Sequence, residues 1–228
     1  TTMAQIAAQT LGIPAAEIGV MPPDTSYTLD TGATTGSRQT VISGEAVRQA
    51  ALHLKADLDK RPIEELEGRE YDGEYMPRTD ALDSSAPDPR YHVSYGCATH
   101  LAVLDESGRI EKIVAAHDVG RAINPLNVEG QIEGGVVMGM GYALTEKFIV
   151  ENGYIKSSFG KLGLLRATDV PEIKVMIVEK GSCEESYGAK GVGEIATIPT
   201  APAIASAYHA LHGAFQHSLP LRNTPYSR

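Results

Sequence analysis

Residues 91–120 read "YHVSYGCATHLAVLDESGRIEKIVAAHDVG", and the fold class turns on this stretch. Val93, Tyr95, Cys97, Leu101 and Val103 recur with the two-residue period of a strand that buries one face. Glu106-Ser107-Gly108 supplies a turn, and "RIEKIVAAHDV" is the return strand of a hairpin. Downstream, "NPLNVEGQIEGGVVMGMGYALTE" reads as a helix despite its glycines. "KFIVENGYIKS" is a second hairpin with Asn152-Gly153 at its turn. "PEIKVMIVEK" is a further strand, "GSCEESYGAKGVGE" a glycine-rich loop, and "TAPAIASAYHALHG" a helix ended by Gly213.

Upstream, residues 62–90 are acidic and rich in Pro, Asp and Ser, which predicts a long surface connection. "TTMAQIAAQTLGIP" is an opening helix with Met3, Ile6, Ala7 and Leu11 on one face. Thr1 or Thr2 can cap it, and Gly12 with Pro14 stops it. "AEIGVM" is a short strand candidate. Val47, Ala50, Ala51, Leu54 and Leu58 mark a second long helix. Helices and strands mix without βαβ regularity, so the class is α+β, mixed sheets with packed helices. Two subdomains are expected, 1–90 with the long connection and 91–228 with the glycine-spaced helix and the GVGE loop.

The 228 residues are 42% apolar and 21% charged, as in soluble globular proteins. A net charge of −9 without a run of Lys or Arg argues against duplex nucleic acid or an anionic membrane as partner. No apolar run reaches the ~18 residues of a membrane span. No signal peptide is visible, and a helix opening at the first residue suggests a piece cut from something larger. Cys97 and Cys183 make neither a disulfide framework nor a zinc site, and two reduced thiols in a cytoplasmic protein are expected.

Four segments bear chemistry. In "TLDTGATTGSRQT" (28–40), Asp30 sits in the Asp-Thr-Gly of aspartic proteases, but those need two such carboxylates and the motif occurs once. Asp30 is better read as a turn residue. The second half, Gly36-Ser37-Arg38-Gln39, is donor-rich and precedes a helix, so it is either a plain helix cap or an anion site. In 124–146, Gly130, Gly134, Gly135, Gly139 and Gly141 each cost about 1 kcal/mol of helix propensity. They serve tight packing or the approach of a flat ligand, with Gln131 and Glu133 as the polar residues on the run. In "GAKGVGEIATIPTAP", Glu194 lies between Val192 and Ile195, the setting in which a carboxylate can act as general base; the alternative is a solvated loop residue. P-loop spacing is absent. In "SSFGKLGLLRATDVPEI", Phe159 and Arg166 are candidates for substrate stacking and anion contact, or simply core and surface.

Together, "DTGATTGSRQT", "HDVGRAINPLNVEGQIEGGVVMGMGYALTE" and "GAKGVGEIATIPTAPAIASA", with "TTMAQIAAQTLGIP" upstream, resemble the molybdenum-binding subunit of the xanthine oxidase family of molybdenum hydroxylases. The resemblance covers nearly the whole chain and implies the C-terminal part of that subunit, with its molybdenum-cofactor-binding domain fold. It implies that Glu194 is the general base beside the molybdenum. Gly36, Ser37, Arg38 and Gln39 match the loop that holds the pterin, and Gln131 matches a second cofactor-contacting segment. The metal would be held through the molybdopterin, possibly a dinucleotide form, and not by protein ligands. The implied reaction is hydroxylation of an N-heterocycle (purine-like) or an aldehyde with oxygen from water. Electrons leave through iron–sulfur clusters and FAD, expected on other subunits or segments because this chain has no four-cysteine cluster and no flavin signature. Implied partners are the N-terminal part of the molybdenum subunit, iron–sulfur and flavin subunits and a small-molecule substrate, in an oligomer. The chain alone is expected to be inactive. The alternative is a non-catalytic assembly fragment that binds cofactor only with the rest of the subunit; molybdenum content of the assembly separates the two.

Overall fold

Elements appear where local signals are strong. The computed structural model describes residues 1–180 and 184–227, leaving aside the side chain of Phe159. Helix α1 spans Thr2–Leu11 and ends at Gly12, whose φ of 79° only glycine adopts readily. Helix α2 spans Gln39–Leu58. Strands β1 (Ala98–Leu104) and β2 (Ile110–Asp118) form an antiparallel hairpin. Helix α3 spans Pro125–Leu144. The short hairpin β3 (Val150–Glu151) and β4 (Tyr154–Ile155) follows. Strand β5 (Glu172–Val178) pairs parallel to β2, with Ala115 opposite Val175, and helix α4 spans Thr200–His212. One antiparallel and one parallel pairing make the sheet mixed, so the class is α+β.

The chain forms two units: Thr1–Tyr95 with Val119–Pro125 and Glu179–Gly191, and Gly96–Asp118 with Leu126–Val178 and Val192–Arg228. The two later segments bond to each other, Lys190 N–H to Val119 O at 2.9 Å and Arg121 N–H to Gly188 O at 3.0 Å, and each reaches the first segment, Asn124 donating to Gln5 at 3.0 Å and Ser186 Oγ to Thr40 O at 2.8 Å.

In the first unit α1 packs on α2, around Ile6, Ala8 and Val41. The long connection after residue 62 is irregular but pinned. Tyr71 donates to Asp57 at 3.0 Å, Tyr75 donates to Glu185 at 2.9 Å, and a Cβ on Gly73 would overlap the Ala46 carbonyl. In the second unit the buried side chains of α3 (Ile132, Val136, Met140, Leu144) and α4 (Ile204, Tyr208) join those of the sheet. Tyr208 donates to Gly108 O at 2.6 Å, tying α4 to the β1–β2 turn.

Four sequence expectations need correction. "AEIGVM" is no strand: Ala15–Glu17 is a single 3₁₀ turn, and Val20 and Met21 are exposed with no neighbouring strand to complete a ladder. Strand β1 starts at Ala98, so Val93, Tyr95 and Cys97 lie outside it, and its inward residues are His100 and Ala102. Leu101 and Val103 point to the opposite face because α4 lies close on the inner one, where small residues and a planar ring fit. In α1 the buried positions are Ala4, Ile6, Ala8 and Thr10, and Thr1 makes no side-chain cap bond. In α2 they are Val41, Gly44, Glu45 and Ala51, so a carboxylate stands where an apolar stripe was expected.

Candidate functional site

The loop before α2 turns sharply into the helix. Gly36 and Ser37 both have left-handed φ, 60° and 55°. Arg38 occupies the N-cap position, exposed and without a side-chain cap bond. Gln39 is less free than its sequence suggests: Thr34 donates to its Oε1 at 2.6 Å and its amide donates to Ser43 at 2.8 Å. Asp30 accepts the Gly32 N–H at 2.9 Å, an ordinary Asx turn, and no bond to a second carboxylate is found among the described residues.

The segment from Glu185 to Gly191 lies along the N-terminal half of α2. Ser186 and Tyr187 have left-handed φ of 48° and 59°, uncommon outside glycine. The bonds that hold this shape are specific. Ser186 N–H donates to Glu45 at 2.8 Å, and Ser186 Oγ donates to Thr40 O at 2.8 Å. Arg48 grips Glu45 with two bonds of 2.8 Å, and Gln49 adds one at 3.2 Å. Burial pushes the Glu45 carboxyl up, but Arg48, the Ser186 amide and Gln49 outweigh it and hold it below the usual value. Tyr187 bonds Thr10 at 2.8 Å, and its ring lies under Arg48 and Arg121, 5.9 and 5.4 Å from their guanidinium carbons. At the end of the segment Gly191 abuts the Ser37 carbonyl so closely that a Cβ would overlap it. The first unit thus brings the Gly-Ser-Arg-Gln loop and the Gly-Ala-Lys-Gly stretch together.

In the second unit, Glu194 is the N-cap of the 3₁₀ turn Ile195–Thr197. Its carbonyl accepts Thr197 Oγ1 at 2.8 Å and Thr197 N–H at 3.0 Å. Val192 is buried, but Glu194 is exposed, so its flanking apolar residues do not enclose it as the sequence suggested. Helix α3 meets this turn through glycine: a Cβ on Gly135 would overlap Ala196, and one on Gly139 would overlap Thr200 and crowd the Thr197 carbonyl. Gly141 lies against Glu146. Gly130 and Gly134, by contrast, have open space where a Cβ would point, and Gln131 beside them is exposed. Arg166 is exposed and caps a short turn with Asp169; Phe159's side chain and Cys183 lie outside what is described.

The donor set suits a large anionic group. The 20-residue α2 directs its positive end at the loop where Arg38 is exposed, and nearby backbone has the tight, glycine-lined form that lets a ligand come close. The bare surface of α3 at Gly130 and Gly134 offers a flat approach beside Gln131. The supporting residues Glu45 and Ser186 escaped the sequence reading, since a carboxylate inside a helical pattern looks like a surface position and Ser186 lies in a loop noticed for its glycines. No described helix is long and apolar enough to cross a membrane.

Comparison with known proteins points one way. A family model described as a molybdopterin cofactor-binding domain matches residues 1–72 and 64–171. The chain is 28% identical over 259 residues to the putative xanthine dehydrogenase molybdenum-binding subunit of Escherichia coli K12, covering 97% of this chain and 34% of that protein. It is 32% identical over 245 residues to 6-hydroxypseudooxynicotine dehydrogenase complex subunit gamma of Paenarthrobacter nicotinovorans, covering 91% and 31%. It superposes on the aldehyde oxidoreductase of Desulfovibrio gigas with a TM-score of 0.82 at 24% identity, covering 96% of this chain and 26% of that one, a likeness of fold. The chain therefore spans about a third of the length of the curated relatives it matches.

Proposed function

This chain belongs to the molybdopterin cofactor-binding domain family, and from that premise we propose that it works as the C-terminal portion of the molybdenum-cofactor subunit of a xanthine dehydrogenase-like hydroxylase. The substrate class is an N-heterocycle, purine-like, or an aldehyde. When bound, the molybdenum centre supplies the two-electron oxidation that places water-derived oxygen on the substrate carbon.

This chain's residues then have distinct tasks. The Gly36–Ser37 backbone and Arg38 receive the anionic part of the molybdopterin, in mononucleotide or dinucleotide form, at the positive end of α2. Gln39 adds a contact from the same turn, and Gln131 contacts the cofactor from α3. Glu194 accepts the proton lost by the water that provides the oxygen. Its exposure in this chain leaves the carboxylate accessible to an incoming group. The observation that carries the reading is the α3 surface, where Gly130 and Gly134 stay bare beside Gln131 while Gly135 fastens the helix to the Glu194 turn.

Iron–sulfur clusters and FAD belong on other subunits or segments, together with the remainder of the molybdenum subunit, in a cytoplasmic oligomer. Glu194→Gln in the assembled enzyme tests the reading. Gln keeps the shape but cannot take the proton, so molybdenum content should hold while turnover falls about 10²–10⁴-fold. Full turnover in the variant would overturn the assignment.

A further inference from the structure

A line of buried hydrogen bonds leads from the sheet to the turn that Glu194 opens. His117 Nε2 lies 2.7 Å from His100 Nε2, and His100 Nδ1 lies 3.0 Å from Thr200 Oγ1. Thr200 Oγ1 donates in turn to Ala196 O at 3.3 Å. All three side chains are buried, His117 and Thr200 completely. The far end fixes the proton positions. Thr200 spends its hydroxyl proton on Ala196, so it accepts from His100 Nδ1–H, and His100 Nε2 accepts from His117 Nε2–H. That leaves His117 Nδ1 as a buried lone pair without a partner. The reverse order would strand an N–H there and give up the bond to Ala196, which is the costlier arrangement.

Both rings are therefore neutral. Burial and the neighbouring His117 push His100 down to about 4, and burial lowers His117 as well. The line ends on a backbone carbonyl, which has no proton to pass on, so it does not conduct protons. An apolar trio of the same volume would fill the space but take the Thr200 donor away from the Ala196 carbonyl. What the polar trio adds is direction. It ties Ala196, two residues after Glu194, to strands β1 and β2, while Gly135 and Gly139 press the same turn from α3.

We propose that His117, His100 and Thr200 are positioning residues that fix the Glu194–Thr197 turn on the sheet and so aim the Glu194 carboxylate. The proposal rests on the reading of Glu194 as base. Its test uses the assembled, molybdenum-loaded enzyme with Thr200→Val, which keeps the volume and removes the hydroxyl, and Thr200→Ser, which keeps the hydroxyl. In T200V the amides of Thr197 and Ile198 should exchange roughly five- to tenfold faster, and kcat should fall by a similar factor at unchanged KM. T200S should restore both to within about twofold of the parent. Val fills the space but leaves His100 Nδ1–H unpaired, so some stability is lost whichever role Thr200 has; the fall in kcat at unchanged KM is the readout that a purely structural role would not move. If T200V fails to fold, His117→Leu removes the first donor, and faster exchange of the same two amides supports the proposal. Unchanged exchange at Thr197 and Ile198 in the folded variant overturns it, whatever Glu194 does. An active E194Q alongside loosened T200V would instead sink the base reading and leave the positioning role standing.

Discussion

Each of the two units holds its candidate segment with a buried polar cluster, but the clusters differ in kind. In the first unit the cluster is charged: Glu45 is gripped by Arg48, Gln49 and the Ser186 amide, and through Ser186 it fixes the start of α2. In the second it is neutral, two imidazoles and a hydroxyl ending on Ala196. The charged cluster has its acceptors satisfied; the neutral one keeps an unpartnered lone pair at His117. The same contrast appears among glycines. Those of the loop, such as Gly36, are there for φ, whereas Gly135 and Gly139 have ordinary helical φ and are there for contact. The difference teaches that the exposed segments are presented by rigid supports, and that the two supports should fail under different conditions.

Acid should separate them most. The folded value of His100, about 4, lies below its ordinary 6.5. Above pH 6.5 both states are neutral and this contribution is complete. As pH falls from 6.5 to 4 the unfolded chain takes up a proton that the folded one refuses, so about 3 kcal/mol is lost from the second unit. Glu45 behaves otherwise, because its value is lowered in the fold: its contribution is intact above about 4.5 and goes only as pH drops through the folded value. Amide exchange followed from pH 7 to 5 should show β1 and α4 weakening while α1 and α2 hold. Equal loss in both units would break the comparison.

Gly139→Ala comes next. Its methyl would overlap Thr200 and crowd the Thr197 carbonyl, backbone and β-branched atoms that yield little. A loss of about 2–3 kcal/mol in urea unfolding is expected. Glu45→Gln should cost about 2 kcal/mol, since it keeps an acceptor for Ser186 but leaves Arg48 without its charge partner. Arg48 is partly exposed, which keeps the figure below that of a fully buried pair. The smallest effect has the opposite sign. Gly134→Ala meets nothing, so helix propensity should stabilise the chain by about 1 kcal/mol while reducing cofactor content if that surface receives the cofactor. Stabilisation with full cofactor content would show that the bare stretch of α3 serves nothing.

Much of this architecture was legible in the sequence because the signals were local. The β1–β2 turn is marked by Gly108, with φ of 79°, and by Asp105, which accepts the Ser107 and Arg109 amides. Asn152 and Gly153, both left-handed, make the second hairpin, and Gly12 and Gly213 end their helices. What was not legible depends on distant partners. Nothing in "PEIKVMIVEK" says that it pairs parallel to β2. The inward phase of β1 is set by α4, a hundred residues away, against the larger side chains at Leu101 and Val103. Glu45 looks like a surface residue until Ser186 and Arg48 surround it, and Ser186 takes a backbone shape that no composition rule assigns to serine. For the site, the motif positions were readable, while the pinning of Gln39 by Thr34 and Ser43 and the exposure of Glu194 were not.

The central claim is that Glu194 takes the proton. Glu194→Gln in the assembled enzyme, with molybdenum counted per subunit and turnover measured on the same preparation, tests it most directly. The account predicts an unchanged molybdenum content with turnover lowered about 10²–10⁴-fold; turnover close to that of the parent at the same molybdenum content would contradict it.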